Sequence, residues 1–215
     1  MKARADFELL KKYSPRQSKI CTTCVVIPKN DIHLRHRTNF LSTAECEYFI
    51  AIANACGWNR SSFFNGVHAS RTSSCARIFD CSADAITVGI RSRIAQLFSN
   101  VPVTRVSDPI ILRYTTGQFV KPHFDTDATR GRRATCLVYL NDLPKGCSGG
   151  ETQFPNLKIC FAPKQGSAIV WNNTYARQRG MSHPDALHEG LPPVGDHAVK
   201  YAMQSWIYFN ESYIL

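Results

Sequence analysis

Residues 114–125, with the sequence YTTGQFVKPHFD, end in a histidine and an aspartate that stand two positions apart, His123 and Asp125. Because successive side chains on a β-strand point to opposite faces, this spacing predicts that both side chains point to the same side of a strand. With a second histidine they would form the two-histidine, one-carboxylate set that binds Fe(II) and leaves other coordination positions open. A His-x-Asp also arises by chance, so the prediction depends on whether the rest of the chain supplies the third ligand.

The best candidate for that third ligand is His188, which lies in the short apolar run Ala186–Glu189. The residues that follow, Gly190 to Pro193, are typical of a strand that ends in a turn. His183 and His197 are rivals on composition alone, and each also fits an ordinary surface histidine. The sequence therefore predicts His188 as a ligand and leaves two alternatives.

Two helices are predicted in the first half of the chain. Ser42 and Glu45 have the spacing of a capping box, and Gly57 is a typical C-terminal stop for the helix between them. Residues 58–80 are rich in Ser, Asn and Arg and predict a loop or an irregular hairpin. A second helix is predicted over residues 82–98, where one side carries an apolar stripe that fits a hydrophobic core. The stripe consists of Ile86, Ile90, Ile94 and Leu97.

From Pro109 onward, short strand patterns alternate with turn residues and no helical pattern intervenes, which is typical of a β-sandwich or barrel. The predicted fold is mostly β with flanking helices: a double-stranded β-helix (jelly roll) core packed against N-terminal helices. Residues 38–215 are predicted to form this domain, and residues 1–37 a polar, basic N-terminal extension without assigned structure. The predicted strands are residues 110–114, 119–125, 134–140, 151–154, 158–162, 167–171, 186–189 and 199–209.

The composition suits a single globular domain, with 215 residues, of which 44% are hydrophobic and 20% are charged. The formal net charge of +10 is spread along the chain, so nucleic acid is an unfavoured partner. No apolar run approaches the ~20 residues that span a bilayer, and the charged N-terminus lacks a signal segment, which predicts a cytoplasmic protein. Most of the nine cysteines are predicted to be reduced and buried, and the Cys21-x-x-Cys24 pair to be structural. The sequence does not indicate an oligomeric state.

A lysine follows the candidate ligands in a predicted strand. Lys200, Ala202, Gln204 and Trp206 share one face of that strand. A lysine that points into the interior of a sandwich needs an anionic partner, because an unpaired buried ammonium is very costly. The alternative is a lysine at the mouth of the strand with its ammonium in water.

The order of these segments resembles the catalytic domain of collagen-type prolyl 4-hydroxylases, a group of Fe(II)- and 2-oxoglutarate-dependent oxygenases. The resemblance runs from about Asn39 to Phe209. No single segment is specific, but nine of them occur in the order of the family. They are NFLSTAECEYFI, RTSS, IRSRIAQLF, ILRYTTGQFVKPHFDTD, RRATCLVYLNDL, GGETQFP, APKQGSAIVWNN, LHEGLPPVGDHAVKY and QSWIY.

The resemblance implies roles for the site residues. His123, Asp125 and His188 would bind iron, and with Lys200 they would form the catalytic set. Lys200 would pair with the distal carboxylate of 2-oxoglutarate, because a dicarboxylate that chelates iron at one end needs a fixed cation at the other. The turn before Lys200 is longer than is usual in the family. Other residues implied at the cosubstrate pocket are Thr152, Tyr114, Trp206 and, as an alternative to an ordinary core tyrosine, Tyr139.

The resemblance also implies a reaction and its partners. The reaction would be hydroxylation of peptidyl proline to 4-hydroxyproline with Fe(II), 2-oxoglutarate, O2 and L-ascorbate, releasing succinate and CO2. A proline-containing peptide or protein would bind through Arg71, Ser73 and Arg132, for each of which a structural or surface role is the alternative. Two other functions stay open: a related oxygenase that acts on a nucleic-acid base or a free amino acid, and a catalytically silent peptide-binding module.

Overall fold

The computed structural model describes residues 24–27, 32–61, 69–77, 84–98, 101–126, 131–175 and 181–208. These residues form antiparallel sheets with two α-helices, which confirms the predicted class of mostly β structure with flanking helices. Cys21, Ser82 and Phe209, which figure in the predictions above, lie outside the described residues, as does the side chain of Cys24. Within the same ranges, no helix is long and apolar enough to cross a membrane.

The first helix, α1, spans Thr43–Cys56 and confirms the predicted capping box. The backbone N–H of Ser42 donates to the Glu45 carboxylate at 2.8 Å, and the N–H of Glu45 donates to the Ser42 hydroxyl at 3.3 Å. These two bonds satisfy backbone donors that a helix N-terminus otherwise leaves unpaired. The helix ends at Gly57, as predicted.

The second helix, α2, spans Ala85–Gln96, so it begins later than predicted. Its N-cap is Asp84, whose carboxylate accepts hydrogen bonds from the N–H groups of Ile86 and Thr87, each at 2.9 Å. Because these side-chain hydrogen bonds satisfy N–H groups that a helix N-terminus leaves unpaired, the helix begins directly after Asp84. The predicted isoleucine stripe is buried, which confirms it as core.

The larger sheet has eight strands among the described residues, in the order β1-β2-β11-β7-β14-β5-β4-β3. Two of them, β1 and β2, lie in the stretch that the sequence left without structure, and β2 pairs with β11. The predicted hairpin after α1 is present as β3 and β4. The bounds are Cys24–Ile27 for β1, Leu34–Arg37 for β2, Asn59–Arg60 for β3, Ser74–Arg77 for β4, Ile110–Thr115 for β5, Arg132–Tyr139 for β7, Ala168–Asn172 for β11 and Val199–Tyr208 for β14.

The second sheet has four strands, in the order β10-β9-β12-β6, and carries the candidate histidines. Two further strands, β8 and β13, pair with each other in a separate two-stranded sheet. Each of the eight strands predicted after Pro109 corresponds to an observed strand. The remaining bounds are Val120–His123 for β6, Ser148–Gly149 for β8, Thr152–Phe154 for β9, Ile159–Phe161 for β10, His188–Gly190 for β12 and Pro193–Val194 for β13.

The larger sheet has one apolar core on each face. On the first face, Ile111 and Val138 pack with both helices, and on the second face Leu112 and Leu137 pack with the four-stranded sheet. Neighbouring residues fall on opposite faces because side chains alternate along a strand. The helices and the candidate site therefore lie on opposite faces of the same strands.

The long turn between His188 and Lys200 contains strand β13, and the pairing of β13 with β8 holds the turn in place. Pro193 pairs with Gly149, and a Cβ atom at Gly149 would collide with the carbonyl oxygen of Pro192, so this position requires glycine. Beyond the turn, Lys200 lies directly opposite Tyr114 in the pairing of β14 with β5. The additional turn residues therefore do not displace Lys200 from the sheet.

Candidate active site

The strand that carries His123 ends at that residue, whereas the sequence predicted a strand that continues to Asp125. The difference has a structural cause: the partner strand β12 begins at His188, which lies opposite His123, so the residues beyond His123 have no partner in the ladder. Asp125 nevertheless lies beside the imidazole, with 3.7 Å between its Oδ1 and Nε2 of His123. The prediction that the two side chains point to the same place is thus correct, although only one of them lies on the strand.

His188 completes a cluster of three potential ligands. Its ring centroid lies 4.3 Å from that of His123, and its Nε2 lies 3.8 Å from Oδ2 of Asp125. One ligand atom from each of the three residues lies within 4.8 Å of the others. The two rivals lie apart from this cluster: His183 accepts a hydrogen bond from the backbone N–H of Asp185, and His197 is exposed in a turn.

The backbone fixes the orientation and the proton position of both imidazoles. Nδ1 of His123 lies 2.9 Å from the carbonyl oxygen of Lys121, and Nδ1 of His188 lies 3.0 Å from that of Ala186. Because a carbonyl oxygen only accepts hydrogen bonds, Nδ1 carries the proton in each ring and Nε2 presents a lone pair. Two such nitrogens with one carboxylate fit Fe(II) and leave coordination positions open.

The electrostatics of the cluster also suit a metal site. Burial and the neighbouring His188 lower the pKa of His123 to about 4, against the opposing effect of Asp125. The imidazole is therefore neutral at pH 7, as a ligand must be. Burial alone would raise the pKa of the Asp125 carboxyl, but the two histidines and a hydrogen bond from Thr135 hold it below its usual range.

Lys200 lies at the other end of the same pocket. Its side chain is 2% exposed, which rules out the alternative of an ammonium in water at the mouth of the strand. The ammonium lies 4.6 Å from the ring centroid of Tyr114 and 5.5 Å from that of Tyr139. Burial lowers the pKa of Lys200 to about 7, while Glu151 acts in the opposite direction. A buried cation without an ion pair among the described residues fits a pocket that binds an anion.

Three hydroxyl groups lie near this lysine. Thr152 lines the pocket and accepts a hydrogen bond from the Tyr139 hydroxyl at 2.7 Å. The carbonyl oxygen of Phe161, at 2.8 Å, is a second acceptor for the single proton of this hydroxyl, and the hydroxyl oxygen accepts a hydrogen bond from the Thr152 N–H at 3.2 Å. Tyr139 thus contacts both the side chain and the backbone of Thr152. Tyr114 is buried and lines the pocket, and burial raises the pKa of its phenol. Roles for these residues in binding a cosubstrate stay predictions.

Four residues were predicted to share one face of β14, and three of them lie at the pocket. Lys200, Ala202 and Gln204 line the pocket. Trp206 lies further along the strand, where the guanidinium carbon of Arg132 is 3.7 Å from the centroid of its ring. This stacking buries one face of the indole and fixes Arg132 beside the site.

Two further residues were predicted to bind a substrate. Arg71 lines the pocket, and its backbone forms an isolated bridge with Val120 of β6. Ser73 is fully buried, and its hydroxyl donates to the hydroxyl of Ser61 at 3.1 Å. In this arrangement Ser73 supports the wall behind the pocket, and a contact between Ser73 and a peptide stays a prediction.

Sequence reasoning missed several polar residues around the cluster. Thr135 and Asn173 lie next to Asp125, and the edge of the Trp171 ring packs against His188 with 4.9 Å between centroids. Nothing in the sequence connects these residues with the ligands, because each is distant in the chain and looks like an ordinary strand residue. Gln204 was predicted to lie on the correct face, but its contact with Asp125 was not predicted.

Comparison with known proteins agrees with this geometry. The profile of the 2OG-Fe(II) oxygenase superfamily matches residues 109–208, which include both histidines, Asp125 and Lys200. Prolyl 4-hydroxylase 2 of Arabidopsis thaliana is 29% identical over 205 residues, and the match covers 80% of this chain and 65% of that protein. Prolyl 4-hydroxylase 5 of the same plant is 26% identical, with 80% and 67% covered. The chain thus spans about two thirds of the length of these relatives.

A solved structure has the same fold and a related sequence. The viral collagen prolyl hydroxylase of Paramecium Bursaria Chlorella virus-1, solved as a 2OG complex, is 26% identical and has a TM-score of 0.65. The match covers 81% of this chain and 94% of the viral protein. With the superfamily profile and the plant relatives, it shows that the predicted jelly roll and the resemblance are correct. This chain carries a prolyl 4-hydroxylase-like domain of the 2OG-Fe(II) oxygenase superfamily.

Proposed function

We propose that this protein hydroxylates proline in peptides or proteins to 4-hydroxyproline. In the balanced reaction, peptidyl proline, 2-oxoglutarate and O2 give hydroxyproline, succinate and CO2. The observation that carries the proposal is the buried Lys200, which shares one pocket with the cluster of His123, Asp125 and His188. A metal cluster and a cation in the same pocket suit a ligand with an acidic group at each end, which is the chemistry of 2-oxoglutarate.

Each end of the pocket has a defined task in this function. Nε2 of His123 and of His188 and one oxygen of Asp125 would hold Fe(II). Lys200 would bind the distal carboxylate of 2-oxoglutarate, with the hydroxyl of Thr152 as a second donor. Fixing the cosubstrate at both ends orients it before the reaction, which lowers the entropic cost of the chemical step.

Apolar side chains separate the two ends. Leu112, Val120, Leu137 and Ala202 line the pocket between the ligand cluster and Lys200. These walls exclude water, which strengthens the electrostatic interactions inside and limits side reactions. When bound, Fe(II) supplies the redox chemistry by which O2 is activated and the cosubstrate is decarboxylated.

Two arginines support a role for a peptide at the open side. Arg71 lines the pocket, and Arg132 stacks on the ring of Trp206, whose side chain lowers the pKa of Asp125. Both can donate several hydrogen bonds in a fixed geometry, which suits the carbonyl groups of an extended peptide. Ascorbate dependence and a cytoplasmic location are further predictions from the sequence.

The proposal is tested by mass spectrometry on peptides incubated with the protein, Fe(II), 2-oxoglutarate and ascorbate. The panel holds a proline-rich repeat, a collagen-like repeat and single-proline peptides, each beside a copy in which alanine replaces proline. We expect a gain of one oxygen on proline, only in the complete mixture and never in the alanine copies. The same mixture with an oligonucleotide or free proline tests the other substrate classes. Oxidation of those alone, or succinate without oxidised peptide, would contradict peptidyl proline as the substrate.

A further inference from the structure

Two buried side chains that are not metal ligands donate hydrogen bonds to the carboxylate of Asp125, and the nearby Trp206 side chain also lowers the pKa of this carboxyl. The hydroxyl of Thr135 and Nε2 of Gln204 each lie 2.8 Å from Oδ2 of Asp125. All three side chains are buried. Both hydrogen bonds therefore fall on one oxygen of the carboxylate, in surroundings that exclude water.

The two oxygens of Asp125 thus differ in their capacity to bind a metal. A carboxylate oxygen offers about two lone-pair sites, and on Oδ2 both of them accept hydrogen bonds. Both oxygens lie near the imidazoles, with Oδ1 3.7 Å from Nε2 of His123 and Oδ2 3.8 Å from Nε2 of His188, so the hydrogen bonds and not the distances distinguish them. Oδ1 is therefore the oxygen that is left for a metal.

A third side chain sets the direction in which the Thr135 hydroxyl donates. Nδ2 of Asn173 lies 3.0 Å from the Thr135 hydroxyl oxygen, and Asn173 is completely buried. Its own backbone is fixed, because its N–H donates to the carbonyl oxygen of Arg133 at 2.7 Å. A hydroxyl carries a single proton, and two acceptors lie within its reach: Oδ1 of Asn173 at 3.2 Å and the ionised Oδ2 of Asp125 at 2.8 Å. The charged oxygen is the nearer and stronger acceptor, so Thr135 directs its proton to Asp125.

The orientation of Gln204 is fixed by chemistry. An ionised carboxylate only accepts hydrogen bonds, so the amide nitrogen of Gln204 must face Asp125. The same side chain lines the pocket, on the strand that carries Lys200. Gln204 therefore connects the ligand cluster with the wall of the cosubstrate pocket.

We propose that Gln204 and Thr135, the latter directed by Asn173, are positioning residues that make Asp125 a one-oxygen metal ligand. They hold Oδ2 away from the metal and leave the coordination position that a bidentate carboxylate would fill to the cosubstrate. Partners of this kind typically change metal affinity by about 10- to 100-fold. The inference rests on the metal site of the proposed function but not on proline as the substrate.

The test uses Co(II) alone, titrated into the metal-free protein and followed by its visible absorption. Thr135→Val and Gln204→Met remove the two donors at nearly constant volume. We expect each to weaken Co(II) binding by about 10- to 100-fold and to change the absorption spectrum, because Oδ2 becomes free to join the metal. Thr135→Ser keeps the hydroxyl and should restore the affinity and spectrum of the unsubstituted protein.

A matched control separates this role from the general cost of removing a buried hydroxyl. Thr87 of α2 is completely buried, and its hydroxyl has no hydrogen-bond partner among the described residues. Thr87→Val should leave Co(II) affinity and spectrum unchanged. Circular dichroism and thermal unfolding show that each variant is folded before titration.

The outcomes separate the inference from the proposed function. Unchanged affinity and spectrum in folded Thr135→Val and Gln204→Met would overturn the positioning role, and so would equal losses in Thr135→Ser and Thr135→Val. Failure of the unsubstituted protein to bind Co(II) would overturn the metal site and the inference with it. Normal Co(II) binding with the expected variant effects supports the inference, even where no proline is oxidised and the proposed substrate is wrong.

Discussion

The two ends of the pocket differ in whether their polar groups form hydrogen bonds within the protein. At the metal end, both imidazoles donate to backbone carbonyls and the Asp125 carboxylate accepts two hydrogen bonds. At the other end, the Lys200 ammonium faces two tyrosine rings, and the described part of the chain gives it no hydrogen bond or ion pair. The fold alone therefore organises the metal end, whereas a ligand completes the lysine end.

Removing a metal ligand should have the largest effect. We expect His123→Ala to reduce succinate formation from 2-oxoglutarate to background, because the two remaining ligands leave the metal weakly held. Succinate is measured by mass spectrometry in the presence of Fe(II) and O2. The matched control is His197→Ala, which removes an exposed histidine in a turn and should leave turnover intact. Undiminished turnover in His123→Ala would contradict the metal assignment.

Replacing Lys200 should affect binding and stability in opposite directions. Lys200→Met removes a charge-assisted pair, so we expect 2-oxoglutarate to bind about 10- to 100-fold more weakly. The same change removes an unpaired buried cation, so thermal unfolding without cosubstrate should shift to higher temperature. Calorimetry with Mn(II) in place of Fe(II) measures the first effect, and a thermal scan measures the second.

The control for this pair of effects is a lysine on the surface. The side chain of Lys164 is 69% exposed and pairs with Asp142 at 2.9 Å. Lys164→Met should leave 2-oxoglutarate affinity unchanged and alter stability by less than about 1 kcal/mol. Loss of both affinity and stability in Lys200→Met would show that the ammonium has a partner that stabilises the fold.

The lysine end should also respond to pH. Because burial lowers the pKa of Lys200 to about 7, the free pocket loses its charge above that pH, and binding of an anion must then take up a proton. The affinity for 2-oxoglutarate should therefore fall by up to about tenfold for each pH unit above 7. Calorimetric titrations at about pH 6.5, 7.5 and 8.5 measure this change in affinity.

The sign of the matching stability effect follows from the same pKa. Above pH 7 the folded protein has lost the Lys200 proton, while the unfolded chain retains it up to the ordinary lysine pKa of about 10.4. Since the unfolded state binds more protons in this range, this group makes the folded state more stable as the pH rises. Lys200→Arg stays charged throughout, so its 2-oxoglutarate affinity should be independent of pH, and a slope equal to that of the unsubstituted protein would contradict the assignment.

The smallest effect on 2-oxoglutarate binding is expected for a change at Tyr139, which contacts Thr152. Tyr139→Phe removes the hydroxyl that bonds to Thr152, so we expect a loss of about 1–3 kcal/mol in the free energy of unfolding. The affinity for 2-oxoglutarate should fall less than in Lys200→Met, because Thr152 keeps its position on β9. Denaturant titration and calorimetry provide the two values. Tyr201→Phe is the control, since its hydroxyl has no hydrogen bond within the described ranges.

The sequence predicted what depends on local patterns. His123 and Asp125 stand at a fixed spacing, and His188 precedes a turn, so their chemistry was visible before their positions were known. The capping box at Ser42 is similarly local, and the structure confirms it. Local signals of this kind predict candidate ligands and the elements that carry them, although they left His183 and His197 as alternatives to His188.

What the sequence could not predict depends on pairing between distant strands. Strand β6 ends before Asp125 because its partner strand β12 begins at His188, opposite His123. Strand β2 forms because it pairs with β11. The bonds from Thr135 and Asn173 require β7 and β11 to meet in one particular register. None of these features has a signature in its own segment, because the partner lies elsewhere in the chain.

The alternation of side chains on β14 makes the enzyme intolerant of errors in strand pairing. Lys200 faces the pocket, whereas its neighbour Tyr201 packs with the helix-side core. A slip of one residue against β5 would turn the ammonium into the apolar layer beneath the helices and a phenol into the pocket. Such a chain would lose its apolar core and its cosubstrate recognition together. A misfolded copy should therefore be inactive and unstable, rather than a compact enzyme with altered specificity.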